Sequence, residues 1–424
     1  LPVSFYMRRH LAIISLIAVL VTSTLAGADL TCSANDPQSL DGSCNNLNNP
    51  SWGAVGTKFL HGTYLGSSYS RSYDANGDPM TGPSARLISN KIFAAAGLAS
   101  IVSKDNIAAT HVFWGQFLDH DLTFTPTNAS DNWPIPVPDD DPYIMYYPEG
   151  ARVMNFSRSQ FILDDSTHHR DQFNGISSYI DASSVYGARP DLQRAVRLSD
   201  NECELNTTMT ANGEMLPRNY LDVGYDNPAH KVPLSYLFAA GDVRANENPG
   251  LTTLHTIFVR EHNRQCKRIK AAQPNLTGEQ AFQVARRWII GLLQRVTFEE
   301  YIPATLGGEH GLSPYTGYDA TVDSTIDLLF ATAMFRYGHS EVLERIPRMD
   351  ENGVEIPQGD LPLKDCYFNP KCWEDQGPEP ILNGMTRTVQ MEVDAFYVDA
   401  IRNFLFGAPS EKGINSVDLG ARNI

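Results

Sequence analysis

A chain of 424 residues is long enough for a large hydrophobic core, in one big domain or two smaller ones. With 42% hydrophobic and 19% charged residues it has a globular balance, which argues against general disorder. A formal charge of −16 and the lack of any basic block argue against nucleic acid or an anionic membrane as the main partner.

The first informative segment is the N-terminus. Met7 is followed by Arg8 and Arg9, an apolar run Leu11–Val21, and small residues ending Ala26-Gly27-Ala28. A charged start, a short apolar stretch and an A-x-A site are the three parts of a secretory signal peptide. A membrane span needs roughly 20 apolar residues, so no stable membrane insertion is expected. Met7–Ala28 is therefore read as the signal, Leu1–Tyr6 as upstream residues, and the mature chain as starting near Asp29. Six cysteines fit an oxidising compartment, though six allow fifteen pairings. Cys32–Cys44 and Cys366–Cys372 are the local candidates, leaving Cys203 with Cys266, and the absence of a CxxC pair speaks against zinc. Asn128, Asn155, Asn206 and Asn275 open N-x-S/T sequons, which after a signal become glycosylation candidates.

Residues 29–90 lack sustained periodicity and read as an irregular arm on the body. Asn106–Phe124 has helical spacing, with Phe113 and Phe117 at i and i+4, and stops before Pro126. Thr127–Gly150, rich in Pro and Asp, reads as a surface loop. Leu251–Lys270 and Glu279–Glu300 are amphipathic helices. Asp323–His339 is a further helix, with Ser324 and Asp327 in capping-box spacing. Asn352-Gly353 marks a short hairpin near residues 350–357, the one clear β signal. The fold class expected is mainly α, one domain over residues 29–424 with little β.

Residues 114–124, WGQFLDHDLTF, place two carboxylates beside a histidine in a segment otherwise suited to burial. A buried carboxylate is costly unless paired, hydrogen-bonded or bound to a cation. At about 100° per residue, Gln116, Asp119 and His120 share one helix face and Asp121 turns away. Taken alone, such a cluster is more often a buried ion pair than a site. Residues 176–187, ISSYIDASSVYG, put oxygen donors at alternate positions: Ser177, the Tyr179 carbonyl, Asp181 and Ser183. With Asp121 they suit a hard cation such as Ca²⁺, which takes six to eight oxygens. Residues 239–250, AAGDVRANENPG, hold Arg244 and Glu247 at i, i+3, by default a surface ion pair. His339, in FRYGHSEV, ends an otherwise apolar helix and by itself is a weak metal-ligand candidate.

In combination these segments resemble the animal haem peroxidases, the superfamily of myeloperoxidase. WGQFLDHD, SYIDASSVYG, GDVRANENPGLTTLHTIFVREHNR and MFRYGHSEV stand in the family's order, and TCSANDPQSLDGSCNNLNNPSWGA resembles its domain start. The invertebrate peroxinectin-like and chorion-peroxidase-like branch is the most similar. The resemblance implies a multi-helix fold and haem b held by ester bonds to Asp119 and Glu247. It makes His120 the distal acid–base group, with Gln116 beside it and Arg244 as distal arginine. It makes His339 the axial ligand of the haem iron, with Asn423 as its partner. Asp121, Ser177, Tyr179, Asp181 and Ser183 would hold Ca²⁺. Hydrogen peroxide and small anionic or phenolic donors are the implied partners.

Two departures bear on these expectations. Asn248 stands where myeloperoxidase has a methionine that makes a third haem link, so a weaker oxidant is expected, using bromide, iodide, thiocyanate or phenols rather than chloride. The chain stops at LGARNI where the family continues, so it is expected to lack a C-terminal part. The alternative reading is an adhesion protein on a peroxidase scaffold, with an extracellular-matrix or cell-surface partner. No RGD or KGD tripeptide occurs, whereas His120, Arg244 and His339 are all present. A lipid-oxidising relative of the cyclooxygenase type is the third reading.

Overall fold

The structure, a computed structural model, describes residues 32–33, 36–62, 82–94, 101–147, 150, 152–163, 170–308, 312–407 and 417–423. The expected signal segment lies outside the described residues. The fold is mainly helical, with short strands, as expected.

Helix α1 (Ala85–Ile92) begins inside the stretch read as an irregular arm. The Ser84 hydroxyl caps it by accepting from the Arg86 N–H. Hydropathy misses it because its buried anchor is a charged residue, Arg86, only 1% exposed. Residues 36–62 are turns and bends, as read.

Helix α2 (Thr110–Leu122) falls where the pattern placed it, with nine buried residues, Asp119, His120 and Asp121 among them. Helix α3 (Pro249–Ala272) starts from an Asn248 cap with Pro249 in its first turn. Helix α4 (Gly278–Val296) carries the capping box, formed by Thr277 and Gln280, and runs on into a π-helical turn at Thr297–Tyr301. The core lies where α2 and α4 meet α3. Phe117 stacks on Phe258 at 5.1 Å between centroids and meets His255 edge-on at 4.9 Å. Gly250 lets α3 approach α2, since a Cβ there would sit 2.6 Å from the Phe113 ring. The disulfides are Cys32–Cys44, Cys203–Cys266 and Cys366–Cys372.

Two readings need correction. Thr127–Gly150 is not all loop: Thr127–Asn132 pairs with Ser157–Ser159, and Ile135–Pro136 with Val153–Met154, both antiparallel. Strands this short and polar leave no period-2 pattern to read. Asp323–His339 is not one helix. Asp327 caps a short helix, Leu328–Thr332, by accepting from the Leu329 N–H, so the Ser324–Asp327 capping box does not form. A 3-10 turn, Met334–His339, follows, because the Arg336 guanidinium donates to the Ala331 carbonyl (2.8 and 2.6 Å) where helix would continue. The Asn352-Gly353 turn is present, with Gly353 at φ +80°, but its hairpin is one bridge between Met349 and Glu355.

Candidate active site

A cavity of about 280 Å³ opens between α2 and the 3-10 turn Met334–His339. Gln116, Asp119 and His120 line it from one face of α2, as the 100° rule requires, while Asp121 points elsewhere. Arg244 and Glu247 enter from the turn before α3, where the Glu247 N–H donates to the Arg244 carbonyl at 2.8 Å. His339 and Asn423, the latter on α5 (Leu419–Asn423), complete the set. The Asn423 amide lies 2.8 Å from His339 Nδ1, which leaves Nε2 for a metal.

Charges around the cavity are arranged in opposition. Burial would raise the Asp119 carboxyl, but the guanidinium groups of Arg336 (2.9 Å) and Arg244 (3.9 Å) hold it below the ordinary carboxylate value. The Thr123 hydroxyl adds a 2.6 Å hydrogen bond. Burial and the neighbouring Arg244 push His120 down to about 3, so its imidazole is neutral. His339 is likewise brought to about 3, by burial and Arg336. Burial lifts Glu247 to about 7 against the pull of Arg244.

Sequence reasoning missed three members of this network and named a fourth without its contact. Asp242 accepts from Arg244 Nε (2.9 Å) and Nη2 (2.8 Å) and lies 3.6 Å from His120 Nδ1. Although burial would raise it, Arg244 and His120 bring its carboxyl well below the usual range. The clue was local, since Asp242 also accepts from the Arg244 N–H (2.8 Å), the Asx-turn spacing. Thr123 lies four positions on from Asp119, at the end of the same helix, a local spacing that could have found it, whereas Arg336 meets Asp119 only through the fold. Asn248 is the fourth, and donates to Gln116 Oε1 at 2.8 Å.

Asp121 is fully buried and accepts three backbone N–H groups, from Asp181 (3.1 Å), Ala182 (3.2 Å) and Ser184 (2.9 Å). Ala182, at φ +62°, is a strained non-glycine residue, and it turns those amides inward. Ser177 donates to Asp181 at 2.6 Å, while Tyr179 sends its hydroxyl to the Trp52 carbonyl at 3.0 Å. Burial raises both carboxyls, Asp121 to about 6 and Asp181 to about 7, and the buried Ser183 hydroxyl lacks a partner. Two crowded carboxylates with an orphaned hydroxyl oxygen suit a dication. Among the described residues Cys203, His262 and Cys266 also have metal-ligand spacing, but the two sulfurs form a disulfide.

A helical domain whose cavity gathers neutral imidazoles, carboxyls and a buried guanidinium has the groups of an enzyme active site. Residues 37–424 match the animal haem peroxidase family. Peroxinectin A of Dictyostelium discoideum is 34% identical over 398 residues, covering 91% of this chain and 72% of that protein. Lactoperoxidase of Mesocricetus auratus is 31% identical, covering 93% of this chain and 60% of that protein. Among solved structures, peroxidase A from Dictyostelium discoideum has a TM-score of 0.81 at 33% identity, covering 92% of this chain and 75% of that one. The chain belongs to the animal haem peroxidase family, a family of peroxidases that implies haem. The residues fit that group: His339 Nε2 is not engaged by Asn423, and the neutral His120 imidazole lines the same cavity. Among the described residues no helix is long and apolar enough to cross a membrane.

Proposed function

We propose that this chain is the haem-binding part of a secreted, glycosylated peroxidase that uses hydrogen peroxide to oxidise iodide, bromide, thiocyanate or phenolic and tyrosyl donors. One observation carries the reading: Asp242 holds Arg244 and faces His120, while His339 borders the same cavity. Haem b, when bound, supplies the redox chemistry. His339 would hold its iron through Nε2, with Asn423 orienting the ring, and Asp119 and Glu247 would be its ester-forming carboxyls. With Nδ1 turned to Asp242, His120 has Nε2 to take a proton from peroxide and return it to the departing oxygen. Arg244, fixed at its Nε and Nη2, stabilises the negative charge that develops there. Gln116 presents an amide to water or a halide.

The haem-loaded protein is expected to show a Soret band that shifts with peroxide, and to turn over iodide or guaiacol. Bromide is expected to outrun chloride. Fatty-acid oxygenation without a reducing donor, or a protein inert to iodide and guaiacol alike, would replace this reading. Acid–acetone extraction that leaves pigment on the chain supports the esters. The similar proteins lend no support to a matrix or cell-surface partner.

Asp121, Ser177, the Tyr179 carbonyl, Asp181 and Ser183 would hold Ca²⁺. At calcium a thousandfold above its Kd, binding stabilises by about 4 kcal/mol. Chelation should therefore lower the thermal midpoint at neutral pH, and Asp181→Ala should make the midpoint indifferent to chelator. A wild-type midpoint that chelator leaves in place refutes the site.

A further inference from the structure

Asn248 has two partners, and together they set the direction of a hydrogen-bond chain. Its Oδ1 accepts the Leu251 N–H at 2.9 Å, capping α3. A backbone N–H can only donate, so that contact fixes which end of the Asn248 amide is oxygen. Nδ2 is then the end that meets Gln116 Oε1, at 2.8 Å. Gln116 in turn has its carbonyl occupied, which leaves its NH₂ group for the cavity, where it draws the Glu247 carboxyl down against burial. Asn248 itself is only 5% exposed and lines the same cavity.

We infer that Asn248 is a positioning residue for anion selection: its cap contact locks the flip of Gln116, so that Gln116 offers N–H donors, not a carbonyl, to a small anion in the cavity. An amide with its NH₂ group inward attracts an anion, and the flipped amide repels it. The inference rests on the peroxidase reading above.

Asn248→Asp separates capping from positioning. Aspartate caps a helix as well as asparagine does. Its second oxygen, however, cannot donate to Gln116 Oε1 and instead attracts the Gln116 NH₂ group, turning the carbonyl inward. Thiocyanate and azide binding to the resting haem-loaded protein, read from spectral titration, is the equilibrium measure. In Asn248→Asp the anion Kd is expected to rise at least tenfold, about 1.4 kcal/mol, with the thermal midpoint within a few degrees of wild type. Gln116→Leu is expected to weaken binding similarly, and adding Asn248→Asp to it should weaken binding no further. Unchanged anion affinity in a folded Asn248→Asp protein overturns the inference, as do losses that simply add in the double variant. A wild-type protein that binds haem but neither anion would instead count against the peroxidase reading itself.

Discussion

Haem uptake is expected to vanish when His339 is replaced by alanine. The imidazole is neutral, its Nδ1 is engaged by Asn423, and it stands on a 3-10 turn that Arg336 holds by bonding the Ala331 carbonyl. Iron would therefore meet a pre-aimed Nε2 that alanine cannot replace. The direct check is the Soret band of the purified variant after haem addition, compared with wild type. Asn423→Ala, which removes only the orienting partner, is expected to weaken haem binding by about 10–100-fold rather than abolish it. A His339→Ala protein that takes up pigment and turns over iodide normally would refute the axial assignment.

The second large effect arises at a residue that does not line the cavity. Arg86 sits between Asp141, reached from Nε at 2.6 Å, and Asp418, reached from Nη1 at 2.6 Å, and also donates to Asn403 Oδ1 at 2.8 Å. Asp418 accepts the Ala421 N–H at 3.0 Å and so caps α5, the helix that carries Asn423. Arg86 thus joins α1 to the segment that orients His339. Arg86→Met is expected to cost about 3–5 kcal/mol, because two buried carboxylates lose their counter-charge. Urea unfolding measures it, and a loss below about 1 kcal/mol would show that the cluster adds little.

The same cluster sets a pH dependence. Burial would raise the Asp141 carboxyl, but its hydrogen bonds with Arg86 and Asn90 hold it below the ordinary value. A lowered folded pKa contributes stability above the unfolded value of about 3.9, and that contribution is lost as pH falls through the folded value. Wild type is expected to weaken below about pH 4. In Arg86→Met the uncompensated Asp141 carboxyl instead gains a proton more readily in the folded state, so the deficit relative to wild type should shrink over that window.

Local chemistry was enough to determine much of this protein. Phe113 and Phe117 set the period of α2, and that period alone placed Gln116, Asp119 and His120 on one face with Asp121 turned away. The amphipathic run from Leu251 marked α3, and the Asn352-Gly353 turn is where its dipeptide indicates. These features depend on neighbours within a turn or two, so the chain states them directly.

Only the tertiary structure decided the partners. Asp119 meets Arg336 across 217 positions, Arg86 meets Asp418 across 332, and Asp121 collects amides some sixty positions away. The short strands near Thr127 needed partners at Val153–Met154 and Ser157–Ser159, and the break before Met334 needed the Arg336 side chain folded back on Ala331. A buried charge is tolerable only with its counter-charge in place, and which one arrives is settled by packing rather than by spacing. Asn248 shows both levels: its cap on α3 is a contact made within three residues, and only the crossing of α2 and α3 adds the contact with Gln116.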